Sequence, residues 1–140
     1  MFTKILLAVD GSEHGLRAAK MAGDLARTMN SAELHVVVAY DPIPLYIGDP
    51  YMQYAIDARL RDSQVILQDA LKVVGEISGE LHSEVLEGSP AEAVVAMAAT
   101  RQSDLIVIGS RGLGRLAGAL LGSTSQKVIS HAPCPVLVVR

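Results

Sequence analysis

Cysteine, tryptophan and phenylalanine are nearly missing from this chain: one cysteine, no tryptophan and one phenylalanine stand among 140 residues. A lone thiol at Cys134 excludes an intrachain disulfide framework, so a reducing, cytoplasmic setting is the simplest expectation. Set between Pro133 and Pro135, that cysteine reads as a small buried filler. No uninterrupted apolar run approaches the ~20 residues that span a bilayer. Met1-Phe-Thr-Lys4 runs straight into an apolar strand, so no signal peptide is expected. Positive charge is sparse too. Twelve Lys and Arg, scattered among 15 Asp and Glu, leave a net charge of −3 and no basic cluster of the kind that binds nucleic acid. Paired metal-ligand spacing is also lacking: His14, His35, His82 and His131 lie far apart, so no metal motif is expected. His35 is expected to pack within its strand.

What is present is apolar and periodic. Half of the residues are hydrophobic and only 19% are charged, which excludes an extended disordered chain. The length suits one domain over residues 1–140. Apolar runs bounded by turn residues alternate with segments of helical period. Strands are expected at Ile5–Val9, Leu34–Ala39, Leu81–Leu86 (the most polar), Asp104–Ile108 and Val136–Val139. Helices are expected at Gly15–Met29, Tyr51–Ser78, Ala91–Thr100 and Ser123–His131. This alternation implies βαβ crossovers and a parallel α/β sheet with helices on both faces. Asp41–Pro50 holds Pro42, Pro44, Gly48 and Pro50 and reads as a loop. The nearby Tyr46, Tyr51 and Tyr54 either cover a pocket, pack on a partner or lie along the neighbouring helix.

The richest stretch is Ile106–Ser125, IVIGSRGLGRLAGALLGSTS. A buried-looking strand enters a glycine-spaced loop that ends in hydroxyl residues placed to open a helix. Glycines let backbone N–H groups approach a ligand, and a helix start adds unpaired donors and the positive end of a dipole. Together these make a candidate phosphate cradle. Competing motifs fail: Gly109-x4-Gly114 is followed by Arg115-Leu116, where a P-loop needs Lys and then Ser or Thr. Gly112-Leu-Gly114-Arg-Leu-Ala-Gly118 misses the dinucleotide spacing by one residue. Ser110 lacks the frame of a nucleophile elbow.

Gly109-x2-Gly112-x9-Gly122-Ser123 resembles the nucleotide-binding signature of the universal stress protein family, on its ATP-binding branch. The resemblance takes in Lys4–Ser12, Leu34–Val37, Gly88–Glu92, Ser103–Gly109 and Ala132–Val139, leaving only Tyr40–Gln64 outside. It implies a Rossmann-like, adenine nucleotide α-hydrolase-like fold: a five-stranded parallel sheet in the order 3-2-1-4-5. The first and fourth strands would then be neighbours, and ligands of open α/β sheets bind where the chain reverses across such a pair.

On that resemblance, Asp10 holds the ribose, the backbone of Val36 holds adenine, and Gly109 lies under the ribose. Gly112, Gly122, Ser123 and Thr124 offer N–H groups to the phosphates, with hydroxyls from Ser123 and Ser125. Arg111 and Arg115 either pair with phosphate oxygens or stay solvated. Local sequence alone leaves other readings open. Asp10 or Ser12 suits a helix cap, and Ser123-x-x-Gln126 and Ser89-Pro-Ala-Glu92 are capping boxes that need no ligand. The function implied is an ATP-binding regulator of a stress response, with Mg²⁺ or Mn²⁺ carried by the phosphates. No catalytic residue is assigned, because the chain offers no cradle lysine and no evident base for water; at most slow hydrolysis is expected. A homodimer through the apolar C-terminal strand is expected. The alternatives are an interaction module that no longer uses nucleotide, and an adenylating ligase. The ligase needs an SGGxDS-type loop that Asp10–Gly15 does not supply.

Overall fold

The computed structural model describes residues 1–111 and 121–140. In chain order the elements are β1 (Lys4–Val9), α1 (Glu13–Met29), β2 (Glu33–Tyr40), a short 3₁₀ turn (Leu45–Ile47), α2 (Tyr51–Val74), β3 (Glu80–Glu87), α3 (Pro90–Arg101), β4 (Leu105–Gly109), α4 (Ser123–His131) and β5 (Val136–Val139). The five strands form one sheet in the order β3-β2-β1-β4-β5, parallel throughout. This is the architecture expected from the alternation and the resemblance.

Burial explains why the central strands are continuous apolar runs. One face of β1, β2 and β4 (Ile5, Leu7, Leu34, Val36, Val107) packs on α1 and α2. The other (Leu6, Ala8, Val37, Ile106, Ile108) packs on α3 and α4. The α1 stripe is built from Ala18, Ala19, Ala22 and Ala26, small residues that let the helix sit close to the sheet. Cys134 lies half-buried against the α3 and α4 side, and burial pushes its thiol pKa up, as suits an inert filler. The Asp104 carboxylate accepts from Thr3 N, Thr3 Oγ1 and Lys4 N at 2.8–3.1 Å, fastening the entry of β1 beside that of β4.

Three expectations need adjustment. The second helix ends at Val74 and not at Ser78, because Gly75 turns the backbone to φ +73° while its N–H closes on Leu71 O. The proline-rich loop contains the Leu45–Ile47 turn. Tyr46, Tyr51 and Tyr54 are absent from the lining of the cleft described below and stand 89%, 69% and 65% exposed, the last two within α2 itself. The polar character of β3 follows from its place as an outer strand with no fully buried residue. No helix of the described residues is long and apolar enough to cross a membrane.

Candidate functional site

A cleft of about 200 Å³ opens where β1 and β4, adjacent in the sheet, end. Its apolar wall is Ala8, Val37, Ala39, Val94 and Ile108, with Pro90 at the start of α3. Its polar wall is Asp10, Gly15, Gly109, Arg111 and Gly122–Ser125. Segments almost a hundred residues apart in sequence therefore meet at the crossing point that the strand order implied. An apolar slot beside a concentration of backbone donors suits a ligand with a flat apolar part and an anionic tail.

Asp10 follows the last residue of β1, and its two oxygens have different surroundings. Oδ1 accepts from Ser12 N at 3.0 Å and from the Ser12 hydroxyl at 2.5 Å. Ser12 in turn caps α1, accepting from Gly15 N at 3.0 Å. Oδ2 has no hydrogen bond among the described residues. The capping reading leaves room for a ligand: one oxygen orders the turn, and the other has no partner among the described residues, on a side chain that lines the cleft.

The opposite lip is the start of α4. Its N-cap is Gly122, which has no side chain to cap with, so Ser123 is the first helical residue and not the cap of a capping box. Gln126 reaches the Leu121 carbonyl instead. The first-turn N–H groups of α4 consequently have no side-chain acceptor among the described residues, and the dipole's positive end lies at the cleft. Ser123 is exposed and lines the cleft with Thr124. The Ser125 hydroxyl, expected on a phosphate, is buried and spent within the protein: it lies 3.0 Å from Ser110 O and 3.2 Å from Gly122 O. Ser89 likewise precedes α3 without a side-chain cap bond. Gly112 and Arg115 lie outside the described residues.

The family follows from the whole chain. The model of the universal stress protein family matches residues 1–140. The chain belongs to the universal stress protein family. It is 44% identical over 140 residues to the universal stress protein in the QAH/OAS sulfhydrylase 3′ region of Thermus aquaticus, covering all of both chains. Among solved structures it superposes on the universal stress protein UspA from Lactobacillus plantarum with a TM-score of 0.88 at 27% identity, covering 99% of this chain and 98% of that one. A universal stress protein solved in complex with cAMP superposes with a TM-score of 0.75 at 27% identity, covering 99% and 97%.

Within this universal stress protein, Val36 is the described candidate that the structure does not bring to the cleft. Its side chain is fully buried on the α1 and α2 face, and β2 is flanked on both sides, so its backbone groups serve the sheet ladders. Val37 and Ala39, on the other face, line the cleft instead. Gly109 does line it, yet a side chain there would meet His14 first: a Cβ would fall 2.8 Å from His14 C and 2.9 Å from His14 Cβ. Its glycine character serves the close approach of α1. Arg111 is exposed on the rim, and its carbonyl lies 3.3 Å from Ser12 Oγ.

Sequence reasoning missed Ser110, which ties the loop together. Its N–H donates to Val139 O, its carbonyl accepts from Gly122 N (both 2.7 Å), and its hydroxyl shares a 2.6 Å hydrogen bond with His14 Nδ1. A lone serine after a strand carries no signal for such a role. His35 is buried as expected, and burial, then the nearby Arg101 charge, lowers its pKa.

Proposed function

We propose that this universal stress protein binds ATP in the cleft and acts as a nucleotide-dependent regulator in the cytoplasm, as a homodimer, rather than as a catalyst. The observation that carries the reading is the uncapped start of α4 facing Asp10 across the cleft. A helix N-terminus without its own acceptor favours phosphate, and a carboxylate oxygen left without a partner accepts ribose hydroxyls. Base, sugar and phosphate thereby each have a chemically matched wall: Val37, Ala39 and Val94; then Asp10; then Gly122–Thr124 with Arg111. The likeness to a protein described with cAMP, itself an adenine nucleotide, supports the same reading. Mg²⁺ or Mn²⁺ would arrive on the phosphates, whose oxygens and water supply its ligands. No lysine stands among the described residues lining the cleft, a part that recurs in efficient phosphoryl transfer, so turnover is expected to be slow.

Titration of the purified chain with ATP by calorimetry tests the reading. Saturable binding with one nucleotide per chain is expected, weakened at least about tenfold (about 1.4 kcal/mol) in Gly122→Val, whose branched side chain enters the phosphate wall. Competition by ADP, AMP and cAMP ranks the phosphate contribution. Absence of saturable binding, or a Gly122→Val variant equal to the parent, refutes it.

A further inference from the structure

At the opposite, amino-terminal end of the strands the sheet register assembles a cluster that linear spacing hides. Glu33 and Glu80 are the first residues of β2 and β3 and stand directly opposite one another. Two residues on, His35 faces His82, their rings stacked with centroids 5.8 Å apart. One nitrogen or oxygen from each of Glu33, Glu80 and His82 comes together, all within 4.8 Å of one another. Like charges directly opposite on adjacent strands repel, so the Glu33–Glu80 pair calls for a cation. The nearest protein cation, Arg101, holds Glu33 only at 3.8 Å, longer than a charge-assisted hydrogen bond, and leaves carboxylate lone pairs open.

A second observation is independent of the acidic pair. The His35 side chain is 2% exposed, and neither of its ring nitrogens has a hydrogen-bond partner. A buried imidazole with both nitrogens unused is uncommon. It stacks against His82 on the same sheet face as Glu33 and Glu80, with its Nε2 3.7 Å from Glu84 Oε2, beyond hydrogen-bond distance.

We propose that Glu33, Glu80 and His82 bind one divalent first-row transition ion of the zinc class, which clamps the outer strand β3 to β2. The donor set, one imidazole nitrogen with two carboxylates, fits zinc-class ions better than Mg²⁺ or Ca²⁺, which take all-oxygen shells. The spacing fits as well. Two ligands about 2.0–2.1 Å from a metal at tetrahedral or square angles lie roughly 2.9–3.4 Å apart. His82 Nε2 and Glu80 Oε2 are 3.0 Å apart. Glu33 brings a carboxylate oxygen within 4.8 Å of both, so its side chain would move inward to join them, with water completing the shell. The ion would replace the proton now held between His82 and Glu80, joining two strands at the edge where β3 is otherwise held from one side only.

Calorimetric titration of the chelator-stripped full chain with Zn²⁺, without nucleotide, tests this. One equivalent is expected to bind, with amide exchange in β3 slowed on binding. His82→Gln and Glu80→Gln, whose side chains are 39% and 75% exposed, are each expected to lose at least about tenfold in affinity and the β3 protection while keeping the parent's thermal melt. His131→Gln on α4 and Gly122→Val are expected to bind Zn²⁺ like the parent, which separates this site from adventitious histidine binding and from the nucleotide cleft. No saturable uptake, uptake unchanged in His82→Gln, or binding that leaves β3 exchange untouched overturns the proposal.

Discussion

Asp10 shows how one side chain serves two ends. Its Oδ1 is committed to Ser12, while Oδ2 has no partner among the described residues. Asp10→Asn keeps an acceptor for the Ser12 groups and replaces the outward acceptor with a donor. ATP affinity is therefore expected to fall about tenfold or more, in line with about 1.5–3 kcal/mol for a hydrogen bond to a charged group, while urea stability changes by less than about 1 kcal/mol. Equal loss of affinity and stability would make Asp10 a capping residue alone. The pair Asp10 and Ser12 was legible in sequence because a carboxylate and a hydroxyl just after an apolar strand admit few other uses. Val36 had no such local signal: a backbone contact leaves no side-chain signature, and its assignment rested on the resemblance alone.

Among the elements, α4 departs most from its expected cap and is also the most informative. Ser123 was read as the cap from the Ser-x-x-Gln pattern, but Gly122 takes that place in extended geometry (φ −72°, ψ 162°). A capping residue would have satisfied the N–H groups that a phosphate needs. Ser123→Asp, at an exposed first-turn position, complements the helix dipole and is expected to raise stability by about 0.3–1 kcal/mol. The same charge repels phosphate, so ATP affinity is expected to drop by more than about tenfold, an interaction of about 4 kcal/mol at 4 Å near a protein surface before screening. Thermal melts and ATP titrations read the two effects separately; unchanged affinity would mean that the phosphates lie elsewhere. The strands and helices themselves were legible nearly to the residue where turn residues bound them. The end of α2 was overrun because helical period continues past a glycine whose positive φ is visible only in the backbone.

On the scale of the whole molecule, the two edges of the sheet differ. The outer strand β3 carries Glu80, Glu84 and Glu87, charges that discourage pairing with another chain. The other outer strand, β5, is Val136-Leu137-Val138-Val139, half-buried and without a charge. An apolar edge of that kind is covered best by a second copy across a two-fold axis. Light scattering at micromolar concentration is expected to report about twice the 14.8 kDa chain mass; a single-chain mass would leave β5 uncovered and refute the dimer.

By itself the sequence determined the α/β alternation, the buried central strands, the hydroxyl-rich helix start and the acid after β1. Each depends on neighbours within a few residues, through period, turn chemistry and capping. Local pattern did not reveal the strand order, which came from the family resemblance; tertiary structure alone decided that the Ser125 hydroxyl meets Ser110 O and that Glu33, Glu80 and His82 converge. Those depend on strand order and register, which bring together atoms dozens of residues apart and leave no local pattern to read.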